Sequence, residues 1–537
     1  MPHMILTKHK DTKTQSFFHS VLHSLSLCVF VFHYILFQGK FCLALVLLAQ
    51  GVCCKAYGAQ DTLQAHVDYQ LTAETAVGTG RYTAFHLAAN RHHALATRPN
   101  TAYLRAAATA QHPLGHDWQL HAGIDAIAAV HADHKAYLQQ WYANLSWRSF
   151  FVEAGAREQR PVLRNEQLSS GAFVKGANAK PIPQIHAGTN GFWTVPYTRD
   201  WLQVDFDFGY GKFLDSQYRE DQFRTTTTNW QYATGIYYHQ KHLYLRTNPT
   251  KPLFITAGIE HAVQFGGNSY KLLDGQLQEK TKPANLRAMW EVILPLGDSK
   301  YYENEAMEDW VWGNHIGSMT VQVGWNIDAH HQLQAYVDDP FEDGSGMRKG
   351  NGADGLYGLE YRNTAPGRQL VRQVVVEHLQ TTNQSGPLHY DRADYPEPIR
   401  SQITTLVAGN DEYYNHTYYD SYSHYGMTPG NPLITSPIYN ADGRTQYTDN
   451  RVRAWHAAAT GQLTDQLSYL AKITYREGLG TYYVPIYPRH HSFDALLQAT
   501  YQRGPLSVAG ACALTTGNIM GHSTTFDIKI SYHGKIF

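Results

Sequence analysis

Apolar and polar side chains alternate with a period of two over much of the chain beyond about residue 58. In the segment WLQVDFDFGYGKF, the even-numbered positions from 202 to 210 are apolar, and the positions between them carry Gln, Asp, Asp and Gly. The segments LSYLAKITYRE (467–477) and FDIKISY (526–532) repeat this pattern. Because successive side chains of a β-strand point to opposite faces, the pattern predicts strands with one apolar and one polar face.

Two kinds of all-β protein use such strands. A soluble sandwich turns the apolar faces inward, whereas a membrane barrel turns them outward toward lipid. Three features favour the barrel: an export leader, a predominance of Tyr among the aromatic residues, and a terminal Phe537 that follows an alternating strand. Such a terminal aromatic is typical of barrels that are assembled in the outer membrane.

The physical reason for a closed barrel is that unpaired backbone groups in hydrocarbon cost several kcal/mol each, so a spanning sheet must join its two ends. No linker or fixed-period repeat divides the chain. We therefore predict a transmembrane antiparallel β-barrel as a single domain over residues 59–537. From the length alone, it would have roughly 16 to 24 strands.

Residues 1–58 are predicted to form an N-terminal leader with a signal peptide. Lys40 precedes the apolar stretch FCLALVLLAQGVCC, and Ala56 and Gly58 follow at cleavage spacing. The alternative is an uncleaved anchor, although neither apolar tract reaches the roughly 18 residues of a spanning helix. The leader is longer than an export signal needs, which suggests an over-extended start. Its removal would leave Cys512 as the only cysteine, so no disulfide is expected.

Charge and motifs exclude several classes of function. The formal net charge is −1 and no block of Lys or Arg occurs, so we expect no nucleic-acid partner. The motifs GxSxG, HExxH and GxxxxGK are missing, and the GxGxxG match from Gly350 to Gly355 lies in an acidic loop. We predict a protein that is not an enzyme and has no cofactor. A hydrolase with an inward Ser, His and Asn cluster stays open, because one sequence cannot reveal that arrangement.

Metal-binding patterns are weak. Adjacent His residues on a strand point to opposite faces, so the His pairs predict no metal site. Acidic residues around flexible glycines form weak calcium candidates, although a solvated turn is the more economical interpretation. These candidates are Asp338, Asp339, Glu342, Asp343 and Asp354.

Two stretches, EDWVWGNHIGS and DEYYNHTYYDSYSHYG, combine aromatic residues with amide and acidic residues. Sugars present apolar ring faces beside hydroxyl groups, so saccharide sites pair flat aromatics with Asn, Asp, His and Arg. The candidate polysaccharide-binding residues are Trp310, Trp312, Asn314, His315, Asp411, Tyr413, Tyr414, Asn415, His416 and Tyr418. On composition alone, an interfacial aromatic belt with extracellular loops is favoured over a sugar site. If the sugar-site interpretation holds, the loop around 413–425 should point outward and meet glycan.

Nine ordered segments resemble the Wzi-type capsule assembly family, particularly its branch in Bacteroidetes-like bacteria. They are TAFHLAANRHH, LSSGAFVKGANAKPIPQIHAG, EHAVQFGG, MEDWVWGNHIGS, PFEDGSGMRKGNGADGLYGLEYR, VVEHLQTTNQSGPLHYDR, GNDEYYNHTYYDSYSHYGMTPGNPL, NRVRAWHAAATGQL and LGTYYVP. The resemblance implies a barrel of about 18 strands that acts as a lectin for exported capsular polysaccharide and supports capsule assembly and attachment. The family's founding members carry a helical bundle near the amino terminus, whereas LQAHVDYQLTAET here has the pattern of a strand.

Together these observations predict an outer-membrane location, contact with outer-membrane lipid, and a monomer, because a closed barrel leaves no strand edge to pair. Charged side chains should line the lumen. The alternative function is a porin-like diffusion channel or transporter, for which the lumen rather than the loops would matter. The sequence does not name the polysaccharide or its linkage.

Overall fold

The structure is a computed structural model that describes residues 66–294, 312–342, 346–348, 352–384 and 412–536. The predicted leader, Trp310, Asp343 and Asp411 lie outside the described residues.

Eighteen antiparallel strands form a closed barrel, which confirms the predicted fold class. The barrel strands are β1 (His66–Thr79), β2 (Thr101–Pro113), β3 (Trp118–Val130), β4 (Ala136–Trp147), β5 (Phe150–Ala156), β6 (Gln184–Thr189), β8 (Leu202–Lys212), β10 (Tyr237–Thr247), β11 (Leu253–Phe265), β14 (Asn314–Asn326), β15 (His331–Phe341), β16 (Gly355–Asn363), β17 (Gln373–Gln380), β20 (Val452–Gln462), β21 (Leu467–Gly480), β22 (Pro485–Arg503), β23 (Leu506–Gly517) and β24 (Ser523–Lys535). Each pairs with its neighbours in this order, and β1 pairs with β24 to close the sheet, with Thr72 opposite Ser531.

The remaining elements are short. They are the strands β7 (Trp193–Thr194), β9 (Gln231–Thr234), β12 (Gly267–Leu273), β13 (Gln276–Lys282), β18 (Asn415–His416) and β19 (Asp420–Ser421), the α-helices α1 (Phe85–Ala88), α2 (Ser216–Thr225) and α3 (Leu286–Glu291), and the 3-10 helices Gly346–Arg348 and Pro437–Tyr439. The longest described α-helix has ten residues, so none of those described could span a bilayer, which takes about 20.

The alternating pattern determines which side chains face the lumen. On β21, Ile473 is 52% exposed and Tyr475 is 43% exposed, whereas Thr474 and Arg476 are buried inside the barrel. On β24 the same division separates exposed Phe526, Ile528 and Ile530 from buried Asp527. The apolar faces therefore point away from the protein interior, which is the reverse of a soluble sandwich. As predicted, charged side chains line the lumen.

The two ends of the barrel differ. At one end, called here the short-turn end, the strands are joined by short turns such as 114–117, 148–149 and 504–505. Strand β1 begins at this end, and β24 ends there. At the other end, called the long-loop end, connections include residues 157–183, 266–313 and 381–451. In outer-membrane barrels the short turns face the periplasm and the long loops face outward.

Three described segments of the long-loop end fold into the lumen: residues 80–100, 157–183 and 412–451. We call them together the plug. They share one hydrophobic core with inward side chains of the wall, including Tyr238, Ile316 and Tyr336. Among the described residues, the plug is built from loops that connect barrel strands.

The prediction that the loop around 413–425 points outward is wrong. Tyr413, Tyr414 and Tyr422 are completely buried, and the hydroxyl groups of Tyr414 and Tyr422 donate to the backbone oxygens of Phe173 and Val174. Large aromatic side chains are stabilised by burial when each hydroxyl finds an acceptor, and the neighbouring plug segment supplies these acceptors.

Candidate functional site

Buried carboxylates on the barrel wall hold the plug. Glu377 on β17 accepts hydrogen bonds from the Ser169 hydroxyl and the Ser170 backbone N–H, both at 2.7 Å, and from the Tyr336 hydroxyl at 2.5 Å. Asp338 on β15 pairs with Arg164 at 3.1 Å, and both side chains are buried. Hydrogen bonds to ionised groups are about twice as strong as neutral ones, so these contacts fix the middle segment of the plug across the lumen.

The first plug segment is fixed in the same way. Arg91 pairs with Glu74 of β1 at 2.6 Å, and the Tyr103 hydroxyl donates to the same carboxylate at 2.5 Å. His86 contacts the Thr474 hydroxyl of β21 at 3.0 Å. The wall therefore contacts both segments through polar side chains that the alternating pattern directs into the lumen.

Above the plug, the long-loop end contains an open cavity of about 1010 Å³. Its aromatic lining comes from three parts of the fold: the plug, the loop before β9, and the connection between β21 and β22. Those residues are Tyr82, Trp230, Tyr439, Tyr447 and Tyr483. Trp230 and Tyr483 are exposed, and the Lys271 ammonium lies 5.5 Å from the centre of the Trp230 ring.

Polar side chains line the same cavity as these rings. The cavity is also lined by Asn314, Asn415, Glu342, Glu412 and Asp449. Flat aromatic faces next to amide and carboxylate groups suit a saccharide, whose ring faces are apolar and whose edges carry hydroxyl groups.

A second cavity of about 590 Å³ adjoins the first. The two share Arg81, Asn440, Asp442 and Arg444, which form a ridge between them. Exposed Arg98 adds a further cation to the second cavity. The long-loop end thus offers an extended groove and not a single small pocket.

Four of the predicted binding residues line the main cavity: Asn314, His315, Asn415 and His416. Not all of them are available to a ligand. His315 contacts His261 and the Trp312 backbone oxygen, both at 2.9 Å, so its two ring nitrogens are occupied. Asn415 exchanges two hydrogen bonds of 2.8 Å with the Tyr447 backbone and holds the plug together.

Four other candidates are buried away from the cavity. Tyr413, Tyr414 and Tyr418 belong to the plug core, and Trp312 packs on the outer face of the barrel. The accessible rings, Trp230 and Tyr483, were not singled out from the sequence. Each lies in a loop between strand-like segments. Only the folded structure places these two residues in one cavity with Asn and Asp residues that are distant in sequence.

The described calcium candidates contact other groups of the protein. Asp338 pairs with Arg164, Glu342 accepts from the Tyr414 backbone N–H at 3.0 Å, and Asp354 accepts from the Gln384 backbone N–H at 2.7 Å. Asp339 is buried. Within the described ranges, no three His, Cys, Asp or Glu side chains are grouped as metal ligands. Where contacts are described, these carboxylates hold loops and wall together.

Acidification should loosen the plug. Burial lowers the pKa of His92 to about 4 and holds the pKa of His93 well below its usual value. A lowered folded-state pKa means that the stabilisation is present above the unfolded pKa of about 6.5 and is lost as the pH falls toward 4. We expect the free energy of unfolding to fall by on the order of 2–3 kcal/mol between pH 7 and pH 4 through His92 alone.

Denaturant unfolding at several pH values checks this. The double variant His92→Gln, His93→Gln should reduce the loss of stability at low pH, whereas His116→Gln, at an exposed position, should leave that loss unaltered. An unchanged acid limb in the double variant would contradict the assignment.

No protein-family model matches the chain, and no curated protein matches it in sequence. Among solved structures, the chain is similar to Wzi of Escherichia coli, described as an outer-membrane protein involved in group 1 capsule assembly and a carbohydrate-binding β-barrel. The identity is 11%, the TM-score is 0.51, and the match covers 86% of this chain and 83% of that chain.

Two Pseudomonas aeruginosa structures also match. OccK5 (OpdH) has 10% identity and a TM-score of 0.44, covering 88% of this chain and 99% of that chain. The outer-membrane protein OprD has 10% identity and a TM-score of 0.45, covering 89% and 97%. At such identities, similarity concerns the fold alone. This chain therefore has the fold of an outer-membrane β-barrel and resembles Wzi in architecture.

Proposed function

We propose that this protein resides in the outer membrane as a lectin-like barrel that binds exported capsular or other surface polysaccharide and supports its assembly and attachment. It acts by binding and not by catalysis. The observation that carries the proposal is the cavity of about 1010 Å³ at the long-loop end, which exposed Trp230 and Tyr483 line together with amide and carboxylate side chains. In an outer-membrane barrel this end meets the cell exterior.

The adjoining cavity suits a polymer. A chain of sugars that leaves the first cavity over the ridge at Asn440 and Asp442 enters the second, which Arg81 and Arg98 line. Each site would bind weakly, and many copies that hold one polymer would retain it through multivalency.

The plug argues against the alternative function, a diffusion channel. A channel needs a continuous aqueous path, whereas residues 164–170 are fixed across the lumen by Asp338 and Glu377. This arrangement favours the binding function. Planar-bilayer recordings of the wild-type protein should therefore be silent, and a steady open conductance would favour the channel.

Removing an accessible aromatic ring should weaken sugar binding. We expect Trp230→Ala and Tyr483→Ala each to lose about 1–2 kcal/mol of binding free energy, or roughly five- to thirty-fold in affinity, because each ring stacks on a sugar face. The purified protein would first be screened on an array of bacterial surface polysaccharides. Calorimetric titration with the best-binding oligosaccharide then compares the variants.

The matched control is Trp118→Ala. This tryptophan is also exposed but begins β3 at the short-turn end, so its loss should leave the affinity unchanged. Absence of any glycan binding, or equal losses at Trp118 and Trp230, would contradict the proposed site.

A further inference from the structure

The helix α3 lies against the outside of the barrel wall. Its Ala288 and the following Val292 pack on Val263 and Phe265 of β11. These β11 side chains share their strand face with Ile255, which is exposed on the apolar outer surface. The Tyr210 hydroxyl donates to the Met289 backbone oxygen at 2.7 Å, and the Asn285 side chain caps the helix.

The helix packs next to polar groups that also face outward. Lys241 of β10 shares its strand face with Leu243 and Leu245, and its ammonium lies 2.6 Å from His261 of β11. His261 in turn contacts His315 of β14 at 2.9 Å. Charged groups facing lipid are costly near the middle of a bilayer and cheap near its interfaces. His261 and His315 are buried, whereas Lys241 is partly exposed, so Lys241 is the polar group of this cluster that limits how deep this part of the wall can lie in the bilayer.

The opposite face of α3 and the turn after it form an exposed apolar stripe. Leu286, Trp290 and Leu294 are 84%, 77% and 53% exposed. Residues four apart on a helix lie on one side, so Leu286 and Trp290 point in a common direction, and exposed Leu294 follows in the turn after the helix. Arg287 and Glu291 form an exposed ion pair on the same helix.

We infer that α3 is a membrane-interface helix, whose Leu286, Trp290 and Leu294 contact lipid at the boundary between acyl chains and headgroups of the outer leaflet. The occupant is lipid because the stripe continues the apolar band of Leu243, Ile255 and Val321, and because Trp favours this boundary. The helix anchors the described residues 266–294 to the membrane near the candidate cavity. The inference rests on the membrane location of the barrel, which the experiment checks separately.

Single cysteines carrying the environment-sensitive fluorophore NBD test the depth of the helix. They are introduced into the full chain, with all five native cysteines replaced by alanine, and the protein is reconstituted in phosphatidylcholine vesicles that contain doxyl-labelled lipid. At Leu286→Cys we expect a blue-shifted emission that 5-doxyl lipid quenches at least twofold more strongly than 12-doxyl lipid. A shallow position within the leaflet gives this order.

Two controls bracket the result. Val321→Cys lies on the apolar band of β14 and should be quenched, whereas Tyr487→Cys, almost fully exposed in β22 beyond the apolar band, should emit as in water. Water-like, unquenched emission at Leu286→Cys with quenching at Val321→Cys would overturn the inference and leave the proposed function standing. Absence of quenching at Val321→Cys would overturn both.

Discussion

Replacing Arg476 with alanine should lower the free energy of unfolding by about 3–5 kcal/mol. The Arg476 guanidinium is completely buried, pairs with equally buried Asp494 at 3.1 Å, and lies 4.1 Å from the ring centre of Phe85 in the plug. Its loss leaves the Asp494 charge in the lumen with only the Ser492 hydroxyl, at 3.2 Å, as a described hydrogen-bond donor. Denaturant unfolding in detergent micelles, followed by tryptophan fluorescence and by gel mobility before and after heating, measures the change.

The control is Arg148→Ala at the short-turn end, which removes an exposed ion pair with Asp117 and should cost less than about 1 kcal/mol. The double variant Arg476→Ala, Asp494→Ala should recover part of the loss, since no unpaired charge is then buried. Equal losses at Arg148 and Arg476 would contradict the assignment of Arg476 as the buried link between wall and plug.

Glu377→Ala should convert a silent barrel into one that opens intermittently. The substitution removes the acceptor of three hydrogen bonds, two of which hold Ser169 and Ser170 of the plug against β17. If these charge-assisted bonds together contribute about 3 kcal/mol to the closed arrangement, the open population rises roughly 100-fold. Single-channel recording in planar bilayers would show this as bursts of conductance that the wild type lacks.

Glu477→Ala is the matched control, because Glu477 lies near the long-loop end of β21, where it accepts a 3.4 Å hydrogen bond from the Tyr475 hydroxyl and lies 3.7 Å from Arg489, and neither contact holds the plug. It should remain as silent as the wild type. Silence of the Glu377 variant with an unaltered unfolding profile would show that the carboxylate does not retain the plug. A wild-type protein that already conducts would favour the diffusion-channel alternative.

The alternating pattern was sufficient to predict the barrel and the faces of its strands. From 467 to 476 and from 526 to 532, the apolar residues point outward and the polar residues inward as the period of two requires, except for Leu470, which packs against a buried cluster. The first strand, β1, was also predicted from LQAHVDYQLTAET and is confirmed over His66–Thr79. These features depend on neighbouring residues alone, which is why the sequence reveals them.

The lining of the candidate cavity was predicted less well. Tyr413, Tyr414 and Tyr418 have the composition of a sugar site, yet they pack inside the plug, where Phe173 lies against Tyr414 with ring centres 5.0 Å apart. Trp230 and Tyr483, which remain accessible, come from connections about 250 residues apart in the chain. Composition shows that an aromatic ring is present, but it does not show which backbone segment covers that ring in the folded protein.

The sequence by itself determined the class of fold, the outward direction of the apolar side chains and the charged lining of the lumen. Those properties follow from a period of two along a strand and from the need of a membrane sheet to close. The tertiary structure decided that loops fill the lumen, that the tyrosine-rich segment is buried, and that one short helix lies on the outer wall. Those outcomes depend on pairings such as Ser169 with Glu377 and Val292 with Val263, between residues that only the closed barrel brings together.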